Sequence, residues 1–353
     1  MGPVPVRSRI VFLDWLRGLA AIVMLQGHAF DSFLRPELRT QPAFIFSQFF
    51  GGQAAAIFLF LTGITFGLGM NRRDELPAWE RITGALRRAR YLFLLAIAFR
   101  LQMWAFAGPH QPWTDLLHVD VLNLMGATAA LLSITALAQG MQRVRWAVSA
   151  GIALAALAPI MSGLDTGRLV GPARDYFVPS GASFIMFPWG SYLAFGLAAG
   201  SAIPLLRHSE WSRVMQWAAL CGFGLLLGGQ YFSNLPFSIY SNSNFWLNSP
   251  ALVACKLGIT LLLGSGAFLW TEYFSKGWSW VRLLGTTSLA VYWVHVELLY
   301  GRWLSSYKAS LTIGECLTVA AMLVLAMVGM SAAIRRFRRK MSGEVSQAKR
   351  VAA

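Results

Sequence analysis

Ten apolar runs recur along the chain, at residues 10–30, 44–70, 87–107, 116–138, 145–162, 183–205, 212–233, 250–273, 279–300 and 311–333. Runs of this length suit helices that cross a hydrocarbon layer about 30 Å thick. Within lipid a spanning element must satisfy its own backbone groups, which a helix does. The pattern therefore predicts an all-α polytopic integral membrane helix bundle of about ten transmembrane helices. The longest stretches between runs are a basic loop at 71–86, a loop at 163–182 and a Ser/Asn-rich loop at 233–250. With no internal repeat, low-complexity stretch or soluble domain in view, the expected organisation is one membrane domain over 1–340. A short disordered tail at 341–353 is expected to follow. The N-terminus is basic and then apolar, as in a signal peptide, but Asp14 and Arg17 interrupt the apolar run, which is read as the first span.

Composition supports this reading. Hydrophobic residues make up 56% of the chain, charged residues 13%, and mean hydropathy is +0.53, which excludes an ordinary soluble domain. Charge then orients the bundle. If the spans alternate from a cytoplasmic N-terminus, 21 of the 30 Lys and Arg residues fall on the cytoplasmic side, six on the outer side and three within spans. The cytoplasmic set includes Arg7 and Arg9, the cluster from Arg72 to Arg90, Arg143 and Arg145, Arg207 and Arg213, Lys276 and Arg282, and the tail from Arg335. That asymmetry predicts both termini in the cytoplasm and a multi-pass protein of the inner membrane. It also accounts for the net charge of +15 through loops and membrane lipids, without nucleic acid as a partner.

Ionisable residues inside spans are expensive and mark functional sites by default. Arg17 and His28 lie eleven positions apart in the first run, so on a helix they share a face, about 16 Å apart along the axis. Asp14 lies one turn before Arg17 and can pair with it. By the same topology His28, Arg100, His118, Asp120, Asn123, His295 and Glu297 fall in the outer half. His110 reads as interfacial, and Lys256 as a residue able to snorkel to the outer surface. The spacing of His28, His118, Asp120 and His295 gives no close ligand pair, so no metal is expected. Cys221, Cys255 and Cys316 read as small packing residues. Two readings of the polar cluster stay open: a proton or solute pathway, as in a transporter or flippase, and catalysis by a general base facing an outer cavity.

The segment RIVFLDWLRGLAAIVMLQGH at 9–28 resembles the first span of the acyltransferase-3 family, whose pattern is Arg, ten residues, His. Other blocks are similar to the heparan-alpha-glucosaminide N-acetyltransferase-like family. They are IFLFLTGITFGLGMNRR at 57–73, RRARYLFLLAIAFRL at 87–101, LLHVDVLNLMGATAALL at 116–132, FPWGSYLAFGLAAG at 187–200 and LLGTTSLAVYWVHVELLY at 283–300. The resemblance implies acetyl-CoA or another acyl-CoA as donor. It also implies transfer of the acyl group to a hydroxyl or amine of a sugar or glycan on the extracytoplasmic side. His28 matches the essential His of acyltransferase-3 and Arg17 its paired Arg. The chain departs from the animal N-acetyltransferases, which carry Asn at the position of His28 and take their catalytic His from the following loop. Residues 29–44 here contain no His.

Around His28 as base or acyl carrier, further candidates follow. Asp120 and Asn123, at i and i+3, can orient an imidazole or bind a sugar hydroxyl, with Arg100 as counter-charge. Arg17 can meet a CoA phosphate or pair with Asp14. Trp189 can stack a sugar ring or anchor at the interface. His295, with Ser288 on the same helical face, can form a second polar wall.

Overall fold

The structure, a computed structural model, describes residues 10–107, 112–163, 172–177, 184–240, 243–274 and 277–351. His110, Arg7, Arg9, Arg168, Lys276 and most of the loop at 163–182 lie outside these residues. The described chain is helical. Its helices are α1 (Val11–Phe33), α2 (Pro42–Asn71), α3 (Ala78–Ala107), α4 (Val121–Leu132), α5 (Gly140–Ala156), α6 (Ala158–Gly163) and α7 (Pro172–Asp175). They continue with α8 (Met186–Ala202), α9 (Trp211–Ser233), α10 (Pro250–Leu269), α11 (Trp280–Thr286), α12 (Ser288–Tyr300) and α13 (Ile313–Val351).

Every apolar run carries a helix, and two runs are broken. The fifth divides at Leu157 into α5 and α6, and the ninth divides at Thr287 into α11 and α12. Among the described residues, five helical stretches are both long and apolar enough to cross a membrane: Pro42–Asn71, Ala78–Ala107, Gly140–Gly163, Pro250–Phe274 and Ile313–Met341. Helices α1 and α9 reach 23 residues each but are less uniformly apolar. The last turn before Phe274 is π-helical.

The chain forms two compact units. The first contains Ala55–Phe268, the second Val11–Ala54 with Leu269–Ala353. In the first unit α2 and α8 cross through two matched pairs of small residues, Gly63 and Gly67 on one helix, Gly196 and Gly200 on the other. A Cβ on Gly196 would stand 1.9 Å from the Phe60 carbonyl oxygen, and one on Gly63 would stand 2.1 Å from that of Leu193. The hydrophobic effect supplies little drive between helices in lipid, so such close backbone approach provides the packing that holds them. Helix α8 also packs on α5, and α3 on α4.

Arg143 is a departure from the loop placement expected for it. The side chain is fully buried, donating to the Asn71 side chain and the Ala138 carbonyl and pairing with Asp74. It ties α5 to the end of α2, so its charge serves packing.

In the second unit α1 is the central helix, packed against α11, α12 and α13. Its crossing with α11 is again backbone on backbone. A Cβ on Gly285 would lie 1.8 Å from the Asp14 carbonyl oxygen, and one on Gly18 would lie 1.9 Å from that of Val281. Farther along, Gly27 meets Gly51 of α2, where a Cβ on Gly27 would stand 2.6 Å from the Gly51 Cα.

These crossings tolerate no side chain. Gly196→Val is expected to cost about 3 kcal/mol or more through overpacking, whereas Gly228→Ala, with open space around its Cβ, should be neutral or mildly stabilising. Thermal unfolding of the detergent-solubilised protein separates them, and equal midpoints would contradict the packing argument.

Candidate active site

One face of α1 carries Arg17 and His28. Arg17 Nη1 donates to Asp14 Oδ1 at 3.2 Å, an i,i+3 pair within one turn. Eleven residues farther along the same face stands His28.

The Gly27–Gly51 approach next to His28 fixes the helix axis there, and polar contacts reinforce it. Gln26 Nε2 donates to Ser47 Oγ at 2.6 Å, and Gln48 Nε2 donates to the Gly27 carbonyl at 3.1 Å. On the α12 side Ser32 Oγ donates to the Leu299 carbonyl at 2.7 Å. His28 is thus clamped between neighbouring helices.

The imidazole of His28 meets that of His295. His28 Nδ1 and His295 Nε2 are 2.9 Å apart, with ring centroids at 5.1 Å and planes within 15°. His295 is 0% exposed, while His28 is half-buried. The other nitrogen of His295, Nδ1, lies 2.7 Å from the Val291 carbonyl oxygen, one turn back on α12.

That carbonyl decides the proton positions. It can only accept, so His295 Nδ1 carries the hydrogen, and in the neutral ring Nε2 must then be the acceptor. His28 Nδ1 therefore donates across the 2.9 Å contact, and neutral His28 keeps its lone pair on Nε2. The chain carbonyl, His295, His28 leaves a basic nitrogen on the less buried ring, which is the arrangement of a general base held by an orienting partner.

Two residues that sequence reasoning passed over complete the surroundings. The Tyr300 ring stands edge-on to His28 with centroids 5.5 Å apart, and its hydroxyl donates to Asp31 Oδ2 at 2.8 Å. Arg39 Nη2 donates to the Asp31 carbonyl at 2.7 Å. A signal was present, because Asp31 follows His28 by three positions on the same helical face.

The remaining candidates belong to the first unit. Asp120 is the N-cap of α4: its Oδ1 accepts from the backbone N–H of Leu122 at 2.9 Å and of Asn123 at 3.0 Å. Its Oδ2 lies 3.0 Å from Arg100 Nε, an ion pair of the expected partners. Asn123 Nδ2 donates to the His118 carbonyl at 3.1 Å. The two side chains shape the start of α4, which begins at Val121, five residues later than the run at 116 suggested.

Trp189 is half-buried among Phe184 and Tyr192, and Lys256 Nζ stands 4.7 Å over its ring. Lys256 is only 7% exposed, so it turns inward onto the indole instead of snorkelling outward. Among the described residues no group of three His, Cys, Asp or Glu side chains is placed to hold a metal ion.

Apolar helices enclosing an ordered base are the make-up of a membrane-embedded enzyme. The profile of the acyltransferase-3 family, an acyltransferase domain, matches residues 10–335. The chain belongs to this family and is a membrane acyltransferase. The blocks between 57 and 300 that drew the second resemblance all fall within the matched range. No curated protein matches the chain.

The cap and the ion pair of Asp120 can be separated. Asp120→Asn keeps an acceptor for the α4 backbone while Asp120→Ala does not, and both leave Arg100 without its counter-charge. The Ala variant is expected to be less stable than the Asn variant by about 1 kcal/mol in thermal unfolding. Indistinguishable variants would show that the cap contributes nothing.

Proposed function

We propose that this acyltransferase moves an acyl group, acetyl in the simplest case, from cytoplasmic acyl-CoA to a hydroxyl or amine of a sugar or glycan outside the inner membrane. The observation that carries the reading is the hydrogen-bonded His28–His295 pair, whose donor order leaves His28 Nε2 free to take a proton.

A sugar hydroxyl is a weak nucleophile toward a thioester until a base removes its proton. In the proposed step His28 Nε2 takes that proton as the acceptor oxygen bonds to the thioester carbonyl carbon. The carbon–sulfur bond then breaks, and the proton passes from His28 to the departing CoA thiolate, giving ester and free thiol. While His28 is cationic, its Nδ1–H bond to the neutral His295 Nε2 becomes charge-assisted, which stabilises the imidazolium. The same nitrogen could instead attack the thioester and carry the acyl group as an acyl-imidazole, which the acceptor then relieves.

In this reading Arg17, at the end of α1 that charge asymmetry assigns to the cytoplasm, receives a CoA phosphate. Within the first unit, Arg100, Asp120 and Asn123 hold the start of α4, and Trp189 is the ring best suited to stack on a sugar.

His28→Ala is expected to lower turnover of labelled acetyl-CoA in membranes by about 100-fold or more. His295→Gln, whose amide oxygen can still accept from His28 Nδ1, should retain more activity than His295→Ala, with the difference in kcat rather than KM. Full thioester turnover in folded His28→Ala would overturn the assignment, and equal loss in the two His295 variants would remove the orienting role.

A further inference from the structure

A histidine ring turns about its Cβ–Cγ bond between two broad wells half a turn apart. In one of them Nδ1 of His28 meets His295 and Nε2 faces away. The half turn exchanges Nδ1 with Cδ2 and Nε2 with Cε1, so in the other well carbon takes both places. The 2.9 Å contact with His295 is a single neutral hydrogen bond, and one such bond contributes modestly to a folded structure. A base that must offer Nε2 at each turnover needs a second hold on its ring.

Tyr300, the last residue of α12, supplies that hold. Its ring stands at 78° to that of His28 with centroids 5.5 Å apart, a favoured aromatic arrangement. The tyrosine is itself fixed at both ends. Its hydroxyl donates to Asp31 Oδ2 at 2.8 Å, and its carbonyl accepts from Lys308 Nζ at 2.8 Å. Beyond it the chain is laced to the end of α1, where the Ala309 N–H donates to the Ser32 carbonyl at 3.1 Å and the Leu311 N–H to that of Phe33 at 2.9 Å.

Asp31 lies one turn past His28 on α1, so the hydroxyl ties Tyr300 back to the helix that carries the histidine. All of these residues belong to the second unit. Tyr292 meets His295 in the same manner, at 70° and 5.8 Å, so each imidazole of the pair has a steeply inclined ring from α12 beside it. Phenylalanine at 300 would offer the same ring without the tie.

We infer that Tyr300 is a positioning residue for acyl transfer: held by Asp31, it keeps the His28 ring in the orientation that presents Nε2 to the acceptor. This role rests on the reading of His28 as base or acyl carrier. Tyr300 acts on the ring alone, so its loss lowers the fraction of molecules ready to react and leaves donor affinity as it was.

Turnover of labelled acetyl-CoA in membranes and nitrogen NMR of the ¹⁵N-histidine-labelled protein, read on the same variants, test the role. Tyr300→Phe and Asp31→Ala should each lower kcat about threefold, with KM for acetyl-CoA unchanged. The double variant should also fall about threefold, because both changes break one bond and are not independent. Asp31→Asn, whose amide oxygen still accepts from the hydroxyl, should retain full kcat. Tyr300→Ala should lose about tenfold and show His28 in a second ring state that lacks the Nδ1–H bond to His295. Losses that multiply in the double variant, an Asp31→Asn loss equal to that of Asp31→Ala, or a single unchanged His28 state in Tyr300→Ala would overturn the inference. A second ring state with full turnover would uphold the hold of Tyr300 on the ring and remove His28 from the chemistry, a failure of the acyl-transfer reading.

Discussion

The Val291 carbonyl oxygen can accept a hydrogen bond and cannot give one, and the chemistry assigned to this protein follows from that asymmetry. It fixes the hydrogen of His295 on Nδ1, which makes Nε2 an acceptor, which in turn makes His28 Nδ1 a donor and leaves His28 Nε2 with its lone pair. A single imidazole in a wet cleft could choose either tautomer. Two in series, anchored to a helix backbone one turn away, cannot choose without breaking a buried hydrogen bond, at a cost of about 1–3 kcal/mol.

Placing the two rings 2.9 Å apart demands that α1 be held firmly, and the chain does so with small residues. Gly18 and Gly285 bring α1 against α11, and Gly27 and Gly51 bring it against α2 immediately beside His28. Apolar side chains gain little by leaving lipid for protein, so contact of this kind, supplemented by Gln26–Ser47 and Ser32–Leu299, sets the position of His28. The first unit uses the same device at its α2–α8 crossing, which suggests one packing rule applied throughout the chain.

Much of this was legible from the residues alone. The apolar runs located the helices, and an eleven-residue spacing placed Arg17 and His28 on one face. His295 was read as a second polar wall around His28, but the direct contact of the two rings was not legible, because 267 positions separate them. Local rules account for the rest. Asp120 directly precedes an apolar stretch, the position of an N-cap, but reading the run from 116 placed the residue inside the helix and turned a cap into a face. The break at Thr287 falls in the stretch Gly285-Thr286-Thr287-Ser288, a cluster of the breaking kind that reading 279–300 as one apolar run passed over. Arg143 was counted by side of the membrane, and a count of charges carries no information about burial.

The central claim concerns one proton on each of two rings, and nitrogen NMR of the ¹⁵N-histidine-labelled protein in bilayers measures it directly, with His28→Gln and His295→Gln assigning the signals. The account predicts that neutral His28 and neutral His295 both carry hydrogen on Nδ1, with the Nε2 of His28 showing the shift of an unprotonated ring nitrogen. Hydrogen on the Nε2 of His28 in the neutral pair would contradict it, because that ring would then have no basic nitrogen to offer an acceptor.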